Sequence, residues 1–158
     1  ERGDGSVPVV TLRTFSKLYG LAGIRIGYAV APAAVIEAMG RVRQPFNVNA
    51  LALVGALAAL DDGEHVRRTL EVNRAGMAYL VAAFWRLGLA HVPSVANFVL
   101  VRVGHGVRVY EALLRRGVIV RPMDVYGFPE YLRVTVGTAE ENTRFIEALA
   151  AACAEGSR

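Results

Sequence analysis

The sequence has almost no cysteine: Cys153 is the only one in 158 residues. A single thiol excludes an internal disulfide and a cysteine-built zinc cluster, and it fits a reducing compartment. It sits in ALAAACAEG, where a small apolar helix residue is the simpler reading than a nucleophile. Histidine is nearly as scarce. His65, His91 and His105 share no metal-ligand spacing, so no metal site is expected. Long uncharged runs are also lacking. The longest, Gln44 to Leu60, carries Pro45, Asn47 and Asn49 at its start, and what remains is too short to cross a bilayer. No dense basic run interleaved with aromatics occurs, so a formal net charge of +4 points to anionic small molecules before nucleic acid.

Lysine is the most telling shortage. Lys17 is the only one; the other basic side chains are all arginine. Arginine stays protonated and is a poor nucleophile. A lysine amine can lose its proton and form a Schiff base with a carbonyl. Where charge alone is wanted this sequence uses arginine, which makes Lys17 a candidate for covalent work. The competing reading is an ordinary solvated lysine.

With 54% hydrophobic residues the chain can bury a core. VPVVTLRTF (7–15) and IRIGYAVA (24–31) read as strands, the first of them buried. Pro32 opens a helix to about Arg43. VNALALVGALAALDD reads as a helix apolar on nearly all sides and therefore buried between layers. A long helix follows from about Glu64 to Leu87, capped by Gly88. Shorter α+β units come next: strands at 97–103, 118–122 and 131–137, a helix at 106–117, and a last helix with Thr138 and Glu141 in capping-box spacing. The boundary falls near DDGE, giving units 1–62 and 63–158. The chain does not begin with Met and opens ERGDGSVPVV, close to a strand and without a leader pattern. It is expected to be part of a longer, cytoplasmic protein.

Lys17 follows the C-terminal end of its strand, where ligands of open α/β sheets bind. Thr14, Ser16 and Arg25 stand near it in sequence, with glycines at 20, 23 and 27. Two hydroxyls and a guanidinium can hold a phosphate, and glycines let backbone approach closely. The lysine precedes the glycines, so this is not a P-loop. A lysine beside phosphate donors suits a cofactor with both an aldehyde and a phosphate, namely pyridoxal 5′-phosphate.

RTFSKLYGLAGIRIGY (13–28) resembles the lysine segment of fold-type-I aminotransferases of classes I and II. Together with QPFNVNALA and GVIVRPMDVYGFPEYLRVTVGTAEENTRFIEAL (117–149), it most resembles the histidinol-phosphate aminotransferases. The likeness runs from residue 7 to about 150. It implies an α/β fold: the C-terminal part of the large cofactor-binding domain, then a small α+β C-terminal domain. It implies that Lys17 bonds the cofactor and moves the proton at the substrate Cα. Arg25 and Ser16, with Thr14 joining them, would bind the cofactor phosphate. Alternation in YLRVTV puts Arg133 on the face opposite Leu132 and Val134. By resemblance Arg133 grips the substrate α-carboxylate and Arg121 contacts a substrate phosphate. The implied reaction is L-histidinol phosphate with 2-oxoglutarate, in a homodimer. The rivals are an aromatic amino-acid aminotransferase, a threonine-phosphate decarboxylase and, in a different class, a non-catalytic basic binding domain. The family's pocket also uses an aromatic ring, an aspartate, an asparagine and a glycine-rich turn upstream of the lysine. None of these is in this chain, so alone it is expected to transaminate poorly or not at all.

Overall fold

The computed structural model describes residues 7–156. The opening ERGDGS, where the expected unit 1–62 begins, and the last two residues of unit 63–158 lie outside them. By its internal contacts the chain divides into two compact units between Thr69 and Leu70.

In the first unit, β1 (Thr11–Thr14) pairs antiparallel with β2 (Gly27–Val30), in register Thr14↔Gly27 through Thr11↔Val30. Gly27 is required in this ladder, because a Cβ there would stand 2.6 Å from the Arg13 carbonyl oxygen. Helices α1 (Ala33–Val42) and α2 (Ala50–Asp61) follow, then the start of α3 (Gly63–Arg86). Asn49 caps α2, its Oδ1 accepting from the Ala52 amide at 2.8 Å.

Four expectations change here. Both strands are shorter than 7–15 and 24–31. Arg25 adopts a left-handed backbone (φ 56°, ψ 66°), which turns the chain before the ladder begins, so it is not a strand residue. β1 is exposed along its length rather than buried. Helix α2 is also largely exposed: only Ala52 and Ala56 are buried, while Leu51 is 80% exposed. An Ala/Leu run with no polar face does not tell which side is covered. Within this unit one i, i+4 stripe of small residues is covered.

The second unit is a four-stranded antiparallel sheet of β3 (His91–Val92), β4 (Phe98–Arg102), β5 (Arg121–Pro122) and β6 (Tyr131–Thr135), in the order β3-β4-β6-β5, with α4 (Gly106–Arg115), α5 (Ala139–Gly156) and the rest of α3. β4 (Phe98–Arg102) and β6 (Tyr131–Thr135) each bury alternate residues, Val99 and Val101 on one and Leu132 and Val134 on the other. These meet Leu80 and Phe84 of α3, Leu113 of α4 and Leu149 of α5 in one core. Each such side chain contributes about 1.5–3 kcal/mol by leaving water. Gly88, at φ 68°, ends α3 as expected. Thr138 and Glu141 form the reciprocal capping box: the Thr138 amide donates to Glu141 Oε2 at 2.8 Å, and the Glu141 amide donates to Thr138 Oγ1 at 3.3 Å.

Strand β5 (Arg121–Pro122) is only the end of the expected strand 118–122. Proline has no N–H to extend the ladder, which confines β5 to the sheet edge. The two-residue β3 (His91–Val92) is too short for any periodicity to reveal. Among the described residues no helix is long and apolar enough to cross a membrane.

Candidate active site

The β1–β2 ladder runs one rung past the strands: the Phe15 amide donates to the Ile26 carbonyl at 3.2 Å. Ser16 and Arg25 flank this last rung on its loop side, so the hairpin returns the expected phosphate donors to one end of the sheet. Lys17 follows at once, exposed, in a turn closed by the Gly20 amide donating to the Lys17 carbonyl at 3.1 Å. Gly20 has φ 68°, a conformation glycine adopts without strain. Beneath the loop Phe15 is buried, its ring 4.9 Å from Tyr19 and 6.1 Å from Tyr28. An aromatic anchor of this kind fixes the loop base while leaving its polar tip in solvent.

The donors are ordered among themselves. Thr14 Oγ1 donates to Ser16 Oγ at 2.7 Å and accepts from the Ser16 amide at 3.1 Å. Arg25 Nη1 donates to the Ala22 carbonyl at 2.6 Å, which folds the guanidinium back over its own loop. Thr14, Ser16, Lys17 and Arg25 therefore belong to one hairpin end. That end carries an amine, two hydroxyls and a guanidinium, the donor set a phosphate-bearing aldehyde requires.

Two residues of this region escape motif reading. Asn49 Nδ2 donates to the Ile24 carbonyl at 3.2 Å. His65 Nε2 lies 3.1 Å from the Leu18 carbonyl oxygen, which can only accept, so the hydrogen bond is made by the Nε2–H tautomer. Neither contact has a sequence signal, since the partners are 25 and 47 residues apart.

Arg121 and Arg133 belong to the second unit. They are Cα partners across β5 and β6 and line one cleft of about 640 Å³. Arg133 is half-buried, with its guanidinium carbon 5.3 Å from the centre of the Phe98 ring, a cation–π contact. Arg144 of α5 lines the same cleft and was not singled out by the sequence. Asn142, 3% exposed, fixes the cleft's end: its Oδ1 accepts from the Gly137 amide at 3.0 Å and its Nδ2 donates to the Gly137 carbonyl at 2.9 Å. Burial pushes the Cys153 thiol above its ordinary pKa, which makes it a poor nucleophile and suits a packing role.

A family profile described as aminotransferase class I and II matches residues 2–149. The chain is 58% identical over 149 residues to a histidinol-phosphate aminotransferase of Symbiobacterium thermophilum, covering 94% of this chain and 41% of that protein. It is 61% identical over 138 residues to histidinol-phosphate aminotransferase 1 of Nitrosococcus oceani, covering 87% of this chain and 37% of that one. The fold matches the crystal structure of histidinol-phosphate aminotransferase from Sinorhizobium meliloti in complex with pyridoxal-5′-phosphate. The TM-score is 0.79 at 28% identity, covering 92% of this chain and 41% of the other. The chain thus spans about two fifths of the length of the curated relatives it matches.

Proposed function

We propose, on the premise that this chain belongs to the class I and II aminotransferase family, that it forms the lysine-bearing part of a histidinol-phosphate aminotransferase. The reaction is amino transfer from L-histidinol phosphate to 2-oxoglutarate, giving imidazole acetol phosphate and glutamate. One observation carries the reading: the only lysine of the chain lies beside two hydroxyls and a guanidinium at one end of a hairpin. Residues 1–62 are then the end of a large cofactor-binding domain and 63–158 a small α+β domain. The chain does divide into two compact units, although between Thr69 and Leu70 inside α3, seven residues past that boundary; the two-part organisation is what supports the reading. The complete enzyme acts as a cytoplasmic homodimer.

The hairpin end fits pyridoxal 5′-phosphate by the chemistry of its donors. Ser16 and Arg25, with Thr14 behind Ser16, hold the phosphate. When bound, the cofactor supplies the aldehyde and the electron sink that the chain lacks. Lys17 supplies the amine that anchors it, and the same amine carries the proton to and from the substrate Cα. Arg133 and Arg121 bind the anionic end of the substrate, bidentate geometry favouring a planar carboxylate or a phosphate face.

The test is borohydride reduction with pyridoxal phosphate on the complete enzyme, followed by peptide mapping. The label is expected on Lys17; a label confined to any other amine would overturn the assignment. Steady-state assays with histidinol phosphate against phenylalanine then separate the proposed substrate from aromatic amino acids, and CO2 release would reveal a decarboxylase. The 158-residue chain alone is expected to give no turnover, because the upstream pocket residues belong to the rest of the enzyme.

A further inference from the structure

We propose that His65 and Asn49 are positioning residues that set the orientation of Lys17 and Arg25, a role that rests on the function proposed above. The β1–β2 ladder fixes only the two ends of the loop 15–26. Inside it, the Leu21 amide donates to the Phe15 carbonyl at 3.0 Å and the Gly20 amide to the Lys17 carbonyl at 3.1 Å. Two further carbonyls are gripped from outside the loop. His65 holds Leu18, the residue after Lys17, at 3.1 Å. Asn49 holds Ile24, the residue before Arg25, at 3.2 Å.

Both donors are themselves fixed to the start of a helix. The His65 amide donates to Asp62 Oδ1 at 2.9 Å, which ties it into the first turn of α3. Thr69 Oγ1 lies 3.4 Å from His65 Nε2 on the next turn. Asn49 Oδ1 already serves the Ala52 amide as the cap of α2, so only its Nδ2 can face Ile24. The Ile24 carbonyl belongs to the peptide that leads into Arg25. That residue holds a left-handed backbone which a side-chain-bearing residue adopts only when its surroundings impose it. Asn49 supplies one such constraint. Both His65 and Asn49 are exposed and bury little apolar surface, so their contribution lies in loop geometry and not in the core. Two helix starts thereby register the amine and the guanidinium against each other, as covalent attachment at one end of a ligand and phosphate binding at the other require.

The experiment uses the complete enzyme and four variants. His65→Ala removes a donor that His65→Gln retains. Asn49→Ala removes both functions of Asn49, whereas Asn49→Asp keeps the helix cap and loses only the donor. Loop amides around Gly20 and Leu21 are expected to exchange hydrogen about five- to tenfold faster in His65→Ala, as for one lost hydrogen bond. The amide of Phe15, which donates to the Ile26 carbonyl, should do so in Asn49→Asp. The rate of borohydride-trapped labelling of Lys17 by pyridoxal phosphate should fall by a similar factor in His65→Ala and Asn49→Asp, with His65→Gln near wild type. Unchanged loop exchange in both variants overturns the grip itself. Faster exchange with undiminished labelling overturns the positioning role. Failure of the functional reading looks different: wild-type Lys17 then takes no label, and both proposals fall together.

Discussion

Arg121 and Arg133 face each other as Cα partners across β5 and β6, two guanidinium-bearing residues in one cleft. Like charges directly opposite in a sheet are unfavourable unless an anion shares them. The proposed reaction offers two such anions in turn. Histidinol phosphate carries a phosphate and no carboxylate, while glutamate and 2-oxoglutarate carry carboxylates. In that proposal Arg133, half-buried with its guanidinium over the Phe98 ring, is assigned to both anions; Arg121 is more exposed. Arg133→Ala is therefore expected to lower kcat/KM in both half-reactions by about 10–100-fold, the worth of a charge-assisted pair. Arg121→Ala should lower it only with the phosphorylated donor. Single-turnover kinetics of each half-reaction checks this, and equal losses in both from Arg121→Ala would contradict it.

Much of this was legible in the sequence, and the reasons are local. The capping box at Thr138 and Glu141, the cap at Gly88 and the alternation of β4 and β6 each depend on neighbours within a few residues. The lysine segment was legible because one amine stood out against a chain of arginines. Arg25 lies outside the strand its neighbours suggest, because a left-handed backbone leaves no hydrophobic pattern to read. The exposure of α2 is not legible in its sequence, because apolarity reports what wants cover, not what provides it. The reach of Asn49 to Ile24 and of His65 to Leu18 leaves no mark in the sequence, because a side chain reaching a distant carbonyl has no periodicity.

Gly76 lies buried in α3 against the β6–α5 junction. A Cβ there would run into Val136 Cγ1 and come within 2.8 Å of Asn142 Nδ2, displacing the side chain that holds both backbone groups of Gly137. Helix propensity favours alanine over glycine by up to about 1 kcal/mol, but overpacking costs about 1–3 kcal/mol. The clash should win. Gly76→Ala is expected to be net destabilising in urea unfolding, whereas Gly40→Ala in α1, where a Cβ would meet nothing within 4 Å, should be neutral or stabilising.

Arg102 and Glu130 pair at 2.9 Å, and the Arg102 guanidinium holds the Glu130 carboxyl below its ordinary pKa of 4.5. A carboxylate whose folded pKa is depressed contributes stability above its unfolded pKa and loses it as pH falls through the folded value. The pair is solvent-exposed, so the effect is small and screened by salt. Wild type and Glu130→Gln should therefore differ measurably at pH 7 in low salt. The difference should shrink below pH 4.5, and 1 M salt should abolish it. Chemical denaturation across pH provides the measurement, and a gap that widens on acidification would reverse the sign argued here.

Lys17→Arg separates charge from nucleophilicity at the centre of the proposed chemistry. The side chain is exposed, so the change leaves the buried Phe15 anchor and the β1–β2 ladder untouched. Surface substitutions of this kind move stability by no more than about 0.5 kcal/mol. Arginine keeps the positive charge but is a poor nucleophile and does not release its proton near neutral pH. If Lys17 acted only as a cation toward phosphate or carboxylate, Lys17→Arg would retain most of the activity. If it bonds the cofactor and relays the Cα proton, turnover in the complete enzyme falls by about 10³-fold or more at unchanged unfolding midpoint, since covalent anchoring and general-base catalysis are lost together. Retention of full turnover would return Lys17 to the ordinary solvated lysine that most such residues are.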